Sequence, residues 1–277
     1  MNNLIKITFF VFLLSCGQDI TYENNIKEDL IFLADDKLEG RKTGTEGEKL
    51  AAKYISERFE KLNLSDKGTE NYYQDFYFGN NNNPHEEIEF NKDSDNSQIH
   101  ARNVVGFLDN GGSNTVVIGA HYDHLGYGEE SSLYFGDEVL IHNGADDNAS
   151  GTSLLLDLAN RLATKELKSN YLFIAFSGEE MGLLGSNYFL KNPTVSKDEI
   201  NYMINMDMVG RLNEENKLSV SGVGSAKIFK QIVNSNNSNF NLVEFGSSST
   251  SSFGSSDHAS PSRWPAQGDT RLQRQAP

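Results

Sequence analysis

The segment YLFIAFS, residues 171–177, is apolar at nearly every position. A strand without polar alternation is expected where helices cover both faces of a sheet, as in parallel α/β proteins. Other apolar runs of strand length occur at 101–108, 115–122 and 201–208. Segments of helical pattern occur at 149–163 and 182–190. This alternation of strands and helices predicts an open α/β sheet with helices on both faces.

The N-terminal third of the chain adds elements to this prediction. A helix is expected from Glu23 to Ala34. Thr45-x-x-Glu48 is a capping box, and a second helix with apolar residues at helical spacing should follow it. The remaining predicted elements are a strand at 72–78, a polar loop or short hairpin at 79–98, a strand at 218–222 and a helix near 226–233.

The charge of the chain limits the partners that we expect it to bind. Its 39 acidic and 24 basic residues give a formal net charge of −15, and the basic residues form no dense cluster. Because nucleic-acid-binding proteins carry a basic patch, nucleic acid is not an expected partner. Hydrophobic residues make up 37% of the 277 positions, which is enough for a core and fits one α/β domain or two small ones.

Residues 1–16 have the pattern of an export signal. A lysine precedes an apolar run from Ile7 to Leu14, which is shorter than the about 20 residues needed to span a bilayer. The sequence Leu-Leu-Ser-Cys then resembles a bacterial lipobox ending at Cys16; the alternative is an ordinary signal peptide cut near Ser15 or Gly17. We therefore expect a cell-envelope protein, lipid-anchored at Cys16 or else periplasmic or secreted. Cys16 is the only cysteine, so no intrachain disulfide is expected.

Acidic side chains and histidines cluster where the predicted strands end. His121 and Asp123 end one strand, and Asp207 ends another. Glu179 and Glu180 follow the apolar strand at 171–177, while a pair of acids, Asp146 and Asp147, opens the helix at 149–163. Open α/β sheets bind their ligands outside the carboxyl ends of the strands. One imidazole with several carboxylates is a typical zinc ligand set, so these ends together predict a metal site.

Each of these features also has a structural explanation when it is taken alone. A histidine at a strand end is often only a hydrogen-bonding residue. Asp146 and Asp147 could cap the helix behind them, and Glu179 and Glu180 could belong to a solvated helix start. Asp207, between two methionines, is costly to bury without a partner, which favours a functional role. His124 and His142 lie near the motifs and are interpreted as supporting or surface residues.

Five ordered motifs carry a resemblance to a known family. The chain resembles the zinc aminopeptidases of peptidase family M28 in the order GAHYDH, NGADDNASG, FSGEE with GLLGS, NMDMVGR and SDH. The resemblance runs from about Asp29, through the segment EGRKTGTEGEKLAAKYI, to His258. The resemblance implies a single domain whose mixed, mostly parallel sheet is sandwiched by helices, as in zinc peptidases and phosphorylase/hydrolase-like proteins. It also implies two zinc ions per chain.

The implied zinc ligands come from separate parts of the sequence. The resemblance assigns His121 and Asp207 to one ion, Glu180 and His258 to the other, and Asp147 to both as a bridge. Gly, Ala and Ser residues around Asp147 would let the backbone turn and bring its carboxylate to the metals.

The resemblance also implies which neighbouring acids are not ligands. Glu179 would be the general base, taking a proton from water and giving it to the departing amine. Asp123 would orient His121, because a metal-bound imidazole usually donates its other N–H to a carboxylate. Asp146 would be a neighbour of Asp147 without binding metal.

The last 19 residues differ in composition from the rest of the chain. Residues 259–277 hold the only tryptophan and three of the five prolines, and no apolar period is visible. Members of the family normally continue past the last histidine with a strand and a closing helix. We therefore expect a signal segment at 1–16, an incomplete peptidase domain at 17–258 whose C-terminal part is missing, and a non-native or disordered tail at 259–277.

These features predict an exported metallo-aminopeptidase that acts on peptide substrates. One alternative is a zinc acyltransferase of the glutaminyl-cyclase type, which shares the architecture. Another is a catalytically inactive binding lipoprotein on the same scaffold. The sequence does not indicate an oligomeric state.

Overall fold

The computed structural model of the protein describes residues 22–79, 89–91, 98–129, 131–223, 231, 235, 241–244, 256–259 and 269–273. The helices among them are α1 (Tyr22–Leu33), α2 (Glu46–Lys61), α3 (Gly151–Ala163) and α4 (Leu184–Lys191). The strands are β1 (Ser65–Asp66), β2 (Tyr73–Gly79), β3 (Phe90–Asn91), β4 (Gln98–Leu108), β5 (Thr115–His121), β6 (Asn170–Phe176), β7 (Ile200–Asp207), β8 (Lys217–Ser221), β9 (Asn241–Glu244) and β10 (Asp269–Gln273).

These strands form one mixed sheet. Its order is β3-β2-β4-β6-β5-β7-β10-β8-β9, and β1 pairs with β4. The four central strands β6, β5, β7 and β10 run parallel to one another, and β8 runs parallel to β9. The other pairs are antiparallel: β1 with β4, β2 with β3, β2 with β4, β4 with β6, and β10 with β8. The predicted mixed α/β sheet is confirmed, and parallel pairing is concentrated in its centre.

Strand β6 is buried on both faces, as its apolar sequence predicts. Phe173 and Ala175 pack in the core formed with α1, α2 and α3. Leu172, Ile174 and Phe176 alternate with them and pack on the opposite face, where α4 contributes apolar side chains. Burying side chains of this size stabilises the fold by about 1.5–3 kcal/mol each, and helices on both faces remove the need for polar alternation.

The capping box predicted at the start of α2 is present. The Thr45 hydroxyl accepts a hydrogen bond from the Glu48 backbone N–H at 3.4 Å, and the Glu48 carboxylate accepts one from the Gly44 N–H at 2.5 Å. This reciprocal capping fixes where the helix begins. The segment just before α2 reaches the residues that follow β5, where the Thr43 hydroxyl donates to Asp123 Oδ2 at 2.9 Å.

Part of the predicted tail has secondary structure. Residues 269–273 form β10, which lies between β7 and β8. Residues 260–268 and 274–277 lie outside the described residues, as do the predicted export signal at 1–16 and most of the helix predicted near 226–233. Within the described part of the chain, no helix has the length and apolarity required to cross a bilayer.

Candidate metal centre

The carboxyl ends of the parallel strands bring the predicted site residues to one edge of the sheet. His121 is the last residue of β5 and lies in register with Phe176, the last residue of β6. Asp207 ends β7, on the other side of β5. Three strand ends therefore present side chains to one volume, which is where open α/β sheets bind their ligands.

His121 lies at the centre of one group of ligand atoms. Its Nε2 is 3.2 Å from Asp147 Oδ1 and 3.7 Å from Asp207 Oδ1, and the Glu179 carboxylate lies 4.0 Å away. Zinc–ligand bonds of about 2.0–2.1 Å place two ligands of a tetrahedral site about 3.3 Å apart. The spacing of His121, Asp147 and Asp207 therefore fits a metal ion between them.

A second group shares Asp147 with the first. It combines Asp147 with His124 and Glu180. His124 Nδ1 is 2.6 Å from Glu180 Oε1, a hydrogen-bond distance that is shorter than the separation of two ligands on one zinc. We therefore interpret His124 as a hydrogen-bonding partner that orients the Glu180 carboxylate. Asp147 is the one residue common to both groups.

The turn before α3 positions Asp147, and the structure shows why this turn contains glycines. Gly144 has φ 57°, and a Cβ there would lie 2.4 Å from the Asp147 carbonyl oxygen. A Cβ at Gly151 would lie 2.5 Å from the Met206 carbonyl oxygen. Larger residues at either position would move the turn. The glycines therefore allow Asp147 to reach the ends of β5 and β7.

Asn148 ties this turn to both strand ends. Its buried side-chain amide donates to the carbonyl oxygens of His121 and Met206, at 3.2 and 3.0 Å. Its side-chain oxygen accepts from the backbone N–H groups of Gly151 and Met208, at 3.0 and 3.1 Å. One side chain thus fixes the spacing between β5, β7 and the residue that precedes α3.

Asp146 points away from both ligand groups. Its carboxylate accepts hydrogen bonds from the Gly210 N–H at 2.8 Å and from Arg211 Nε at 2.9 Å. It anchors the residues that follow β7. The two adjacent acids therefore have different surroundings, and only Asp147 faces the histidines.

The Asp123 carboxylate contacts more than His121. It lies 3.7 Å from His121 Nδ1, whereas the Asp123 carbonyl oxygen lies closer, at 3.2 Å. The carboxylate accepts hydrogen bonds from the Thr43 hydroxyl at 2.9 Å and from the N–H groups of Glu179 and Glu180 at 3.1 and 3.4 Å. Asp123 therefore also fixes the backbone that carries Glu179 and Glu180, a role that the His-x-Asp pattern did not predict.

Negative charge accumulates in this buried site. Burial raises the pKa of the Glu179 carboxyl to about 9, and the carboxylates of Asp257, Asp207 and Asp123 add to the rise against the effect of His121. Burial alone would lower the pKa of the His121 imidazole, but Glu179 and the neighbouring aspartates raise it. Burial also opposes ionisation of Asp147, yet its contact with His121 lowers the pKa of that carboxyl. Buried like charges are costly, so this donor set fits a bound cation.

His258 lies near the site but outside both ligand groups. It is buried in a short helical turn, Asp257–Ala259, beside β5 and β7. Its ring nitrogens are not within ligand spacing of Asp147 and Glu180 in the described structure. Burial raises the pKa of Asp257 to about 7, with Asp123 and Asp207 adding to the rise and His121 opposing it.

Comparison with known proteins identifies the chain. The profile of peptidase family M28 matches residues 103–263, which is more than half of the sequence. The chain belongs to peptidase family M28. The resemblance carried by the five motifs is therefore confirmed, and with it the expected fold class. The match begins within β4, so the helices α1 and α2 and the segment between them precede it.

One relative in sequence and two solved structures are similar to this chain. Aminopeptidase YwaD of Bacillus subtilis is 35% identical over 126 residues, which cover 44% of this chain and 27% of that protein. A zinc-dependent exopeptidase from Parabacteroides distasonis has the same fold, with a TM-score of 0.66 and 19% identity, covering 91% of this chain and 85% of that one. A zinc aminopeptidase from Bacillus subtilis has a TM-score of 0.57 and 17% identity, covering 85% and 81% of the two chains. The aligned segment thus spans about a quarter of the length of YwaD.

Proposed function

We propose that this chain is a zinc-dependent aminopeptidase that removes N-terminal residues from peptides at a centre of two zinc ions. The observation that carries the proposal is the shared position of Asp147. Its carboxylate belongs both to the group with His121 and Asp207 and to the group with Glu180. A single carboxylate between two groups of ligand atoms is the arrangement that a two-metal site requires.

Each group of ligand atoms would bind one of the two zinc ions. His121, Asp147 and Asp207 would hold one zinc, and Asp147 and Glu180 the other. The family resemblance gives His258 as the imidazole ligand of the second ion. Its buried ring lies beside β5 and β7 and would have to move closer to Asp147 and Glu180 to bind that ion. Bound zinc would supply Lewis-acid chemistry, lowering the pKa of water from about 15.7 to about 7 and polarising the substrate carbonyl.

Glu179 is the side chain best placed to move a proton. Its carboxylate lies 4.0 Å from His121 Nε2, and its backbone N–H is held by Asp123. Positive charge bound at His121 and Asp147 would lower the pKa of Glu179, because a nearby opposite charge favours the ionised carboxylate. Glu179 would then accept a proton at its free oxygen and return it to the departing amine.

Similarity in sequence supports a substrate that is cleaved from its amino end. The segment that is 35% identical to aminopeptidase YwaD covers 126 residues and 44% of this chain. This favours an exopeptidase that works from the amino end.

Removal of metal should abolish hydrolysis of aminoacyl anilides. A catalytic zinc lowers the activation free energy by several kcal/mol, and each 1.36 kcal/mol changes the rate tenfold. The rate should therefore fall by at least about 100-fold when the metal is removed. Rates are measured before and after treatment with a chelator, and again after zinc is added back. The N-acetylated form of the same anilide, which lacks the free amine, serves as the control and should not be cleaved.

Two results would count against the proposal. Hydrolysis that survives chelation, in protein shown to be free of metal, would exclude a zinc mechanism. Cyclisation of a peptide with an N-terminal glutamine, without cleavage of anilides, would favour an acyltransferase on the same scaffold.

A further inference from the structure

Arg41 is completely buried, and it donates hydrogen bonds to backbone carbonyls at both ends of the segment that joins β5 to α3. Its Nε lies 2.7 Å from the carbonyl oxygen of Tyr122, directly after His121. Its Nη1 lies 2.8 Å from the carbonyl oxygen of Asn143, and its Nη2 lies 3.1 Å from that of Gly144. The guanidinium group thus connects the residue after one metal-binding histidine to the turn that carries Asp147.

The backbone around Arg41 makes the same connection. The Arg41 carbonyl oxygen accepts from the His124 N–H at 3.2 Å, and the Gly40 carbonyl oxygen accepts from the Gly126 N–H at 3.3 Å. A Cβ at Gly40 would lie 2.5 Å from the carbonyl oxygen of His142, which leaves room only for glycine. The turn at residues 39–41 is therefore inserted between the two ends of the segment 124–144.

Thr43 reaches the next part of the site. Its buried hydroxyl donates to Asp123 Oδ2 at 2.9 Å, and Asp123 in turn accepts from the backbone of Glu179 and Glu180. The hydroxyl uses only one lone pair of the Asp123 carboxylate, so the others can accept from the backbone N–H groups of Glu179 and Glu180. Arg41 thus contacts the end of β5 and the turn that carries Asp147, and Thr43 contacts the carboxylate that holds the loop with Glu179 and Glu180.

The charge of Arg41 is suited to this position. Burial lowers the pKa of its guanidinium to about 10, while the carboxylates of Asp123, Asp147 and Glu180 act to raise it. The group remains protonated at neutral pH. It therefore compensates part of the negative charge of the site as well as fixing its backbone.

We propose that Arg41 and Thr43 are positioning residues, which set the spacing of the zinc ligands without binding metal themselves. This inference rests on the proposed two-zinc centre. Loss of a hydrogen-bonding partner behind a ligand typically weakens metal affinity by about 10–100-fold. Both residues precede the part of the chain that the M28 profile matches, so nothing in that match assigns them a role.

Zinc affinity of the full chain tests the inference without relying on catalysis. Zinc is titrated against a competing chromophoric chelator for the wild type and for the variants R41K and T43A. Lysine keeps the charge of Arg41 but has no planar fork to contact several carbonyls at once. We expect zinc binding to weaken about 10–100-fold in R41K and about tenfold in T43A.

Two matched variants separate positioning from general stability. R58K makes the same change at an arginine that is paired with Asp29, with Nε–Oδ1 at 2.9 Å and Nη2–Oδ2 at 3.1 Å. T45A removes the hydroxyl that caps α2, two residues from Thr43. Both should lower the midpoint of thermal unfolding, measured in parallel, and leave zinc affinity within about threefold of the wild type.

Each outcome has a definite meaning. Zinc binding by R41K and T43A at wild-type affinity would overturn the inference, as would an equal loss in R58K and T45A. If R41K fails to fold, as judged by far-UV circular dichroism, the comparison of T43A with T45A decides the question. A wild-type chain that binds no zinc would instead contradict the proposed metal centre.

Discussion

Glu179→Gln should lower kcat for aminoacyl anilides by about 10²–10⁴-fold while leaving the zinc content unchanged. General acid–base catalysis by one side chain contributes this range, and glutamine keeps the size of the side chain but cannot accept the proton. Steady-state kinetics give kcat and KM, and metal analysis of the same preparation gives the zinc stoichiometry. The loss should appear in kcat because the proton moves only in the reaction itself.

Glu46→Gln is the matched control for this change. Glu46 lies in the first turn of α2, is largely exposed and pairs with Lys49 at 2.6 Å. Its replacement should leave kcat and zinc content at wild-type values. If Glu179→Gln retained more than a tenth of the wild-type kcat, another group would have to accept the proton. If it lost zinc, Glu179 would be a ligand.

Asp147→Asn should abolish the two-zinc centre, whereas Asp146→Asn should leave it intact. Asp147 belongs to both ligand groups, while Asp146 is hydrogen-bonded to Gly210 and Arg211. Loss of a direct ligand should exceed the about 10–100-fold cost of losing a partner behind one. We expect fewer than one zinc per chain in Asp147→Asn under conditions that saturate the wild type with two.

Thermal unfolding with and without zinc gives an independent readout of the same pair. A ligand at about 100 times its Kd stabilises the folded state by about 2.7 kcal/mol. Zinc should therefore raise the unfolding midpoint of the wild type and of Asp146→Asn, but not that of Asp147→Asn. Without zinc, Asp147→Asn should be less stable than the wild type, because the contact with His121 lowers the pKa of Asp147 and so favours its ionised form in the folded state. Equal responses of the two variants to zinc would contradict the bridging role.

The strand ends of the site could be predicted from sequence because an apolar run of strand length is followed there by polar residues. YLFIAFS identifies a strand buried on both faces, and polar residues at its end must either be paired or be functional. The same reasoning applied to His121 and Asp207, and the structure brings both to Asp147. Parallel pairing of neighbouring strands then places their ends at one edge without any further information.

Contacts between distant segments were not predictable in this way. Nothing in the local sequence of Arg41 or Thr43 indicates that they contact Tyr122, Gly144 and Asp123, about 80 to 100 residues later. The sequence predicts only a supporting or surface role for His124, because its contact with Glu180 depends on how β5 and β6 are spaced. The sequence predicts no strand at 269–273 because this segment shows no apolar period, whereas the structure pairs it with β7 and β8.

The most direct test is to locate the metals in crystals of the protein grown with zinc. Anomalous difference maps measured at the zinc absorption edge should show two peaks on either side of the Asp147 carboxylate. One should be bound by His121 and Asp207, and the other by Glu180 and His258. A single peak, peaks remote from Asp147, or no peak in zinc-saturated crystals would contradict the two-zinc centre.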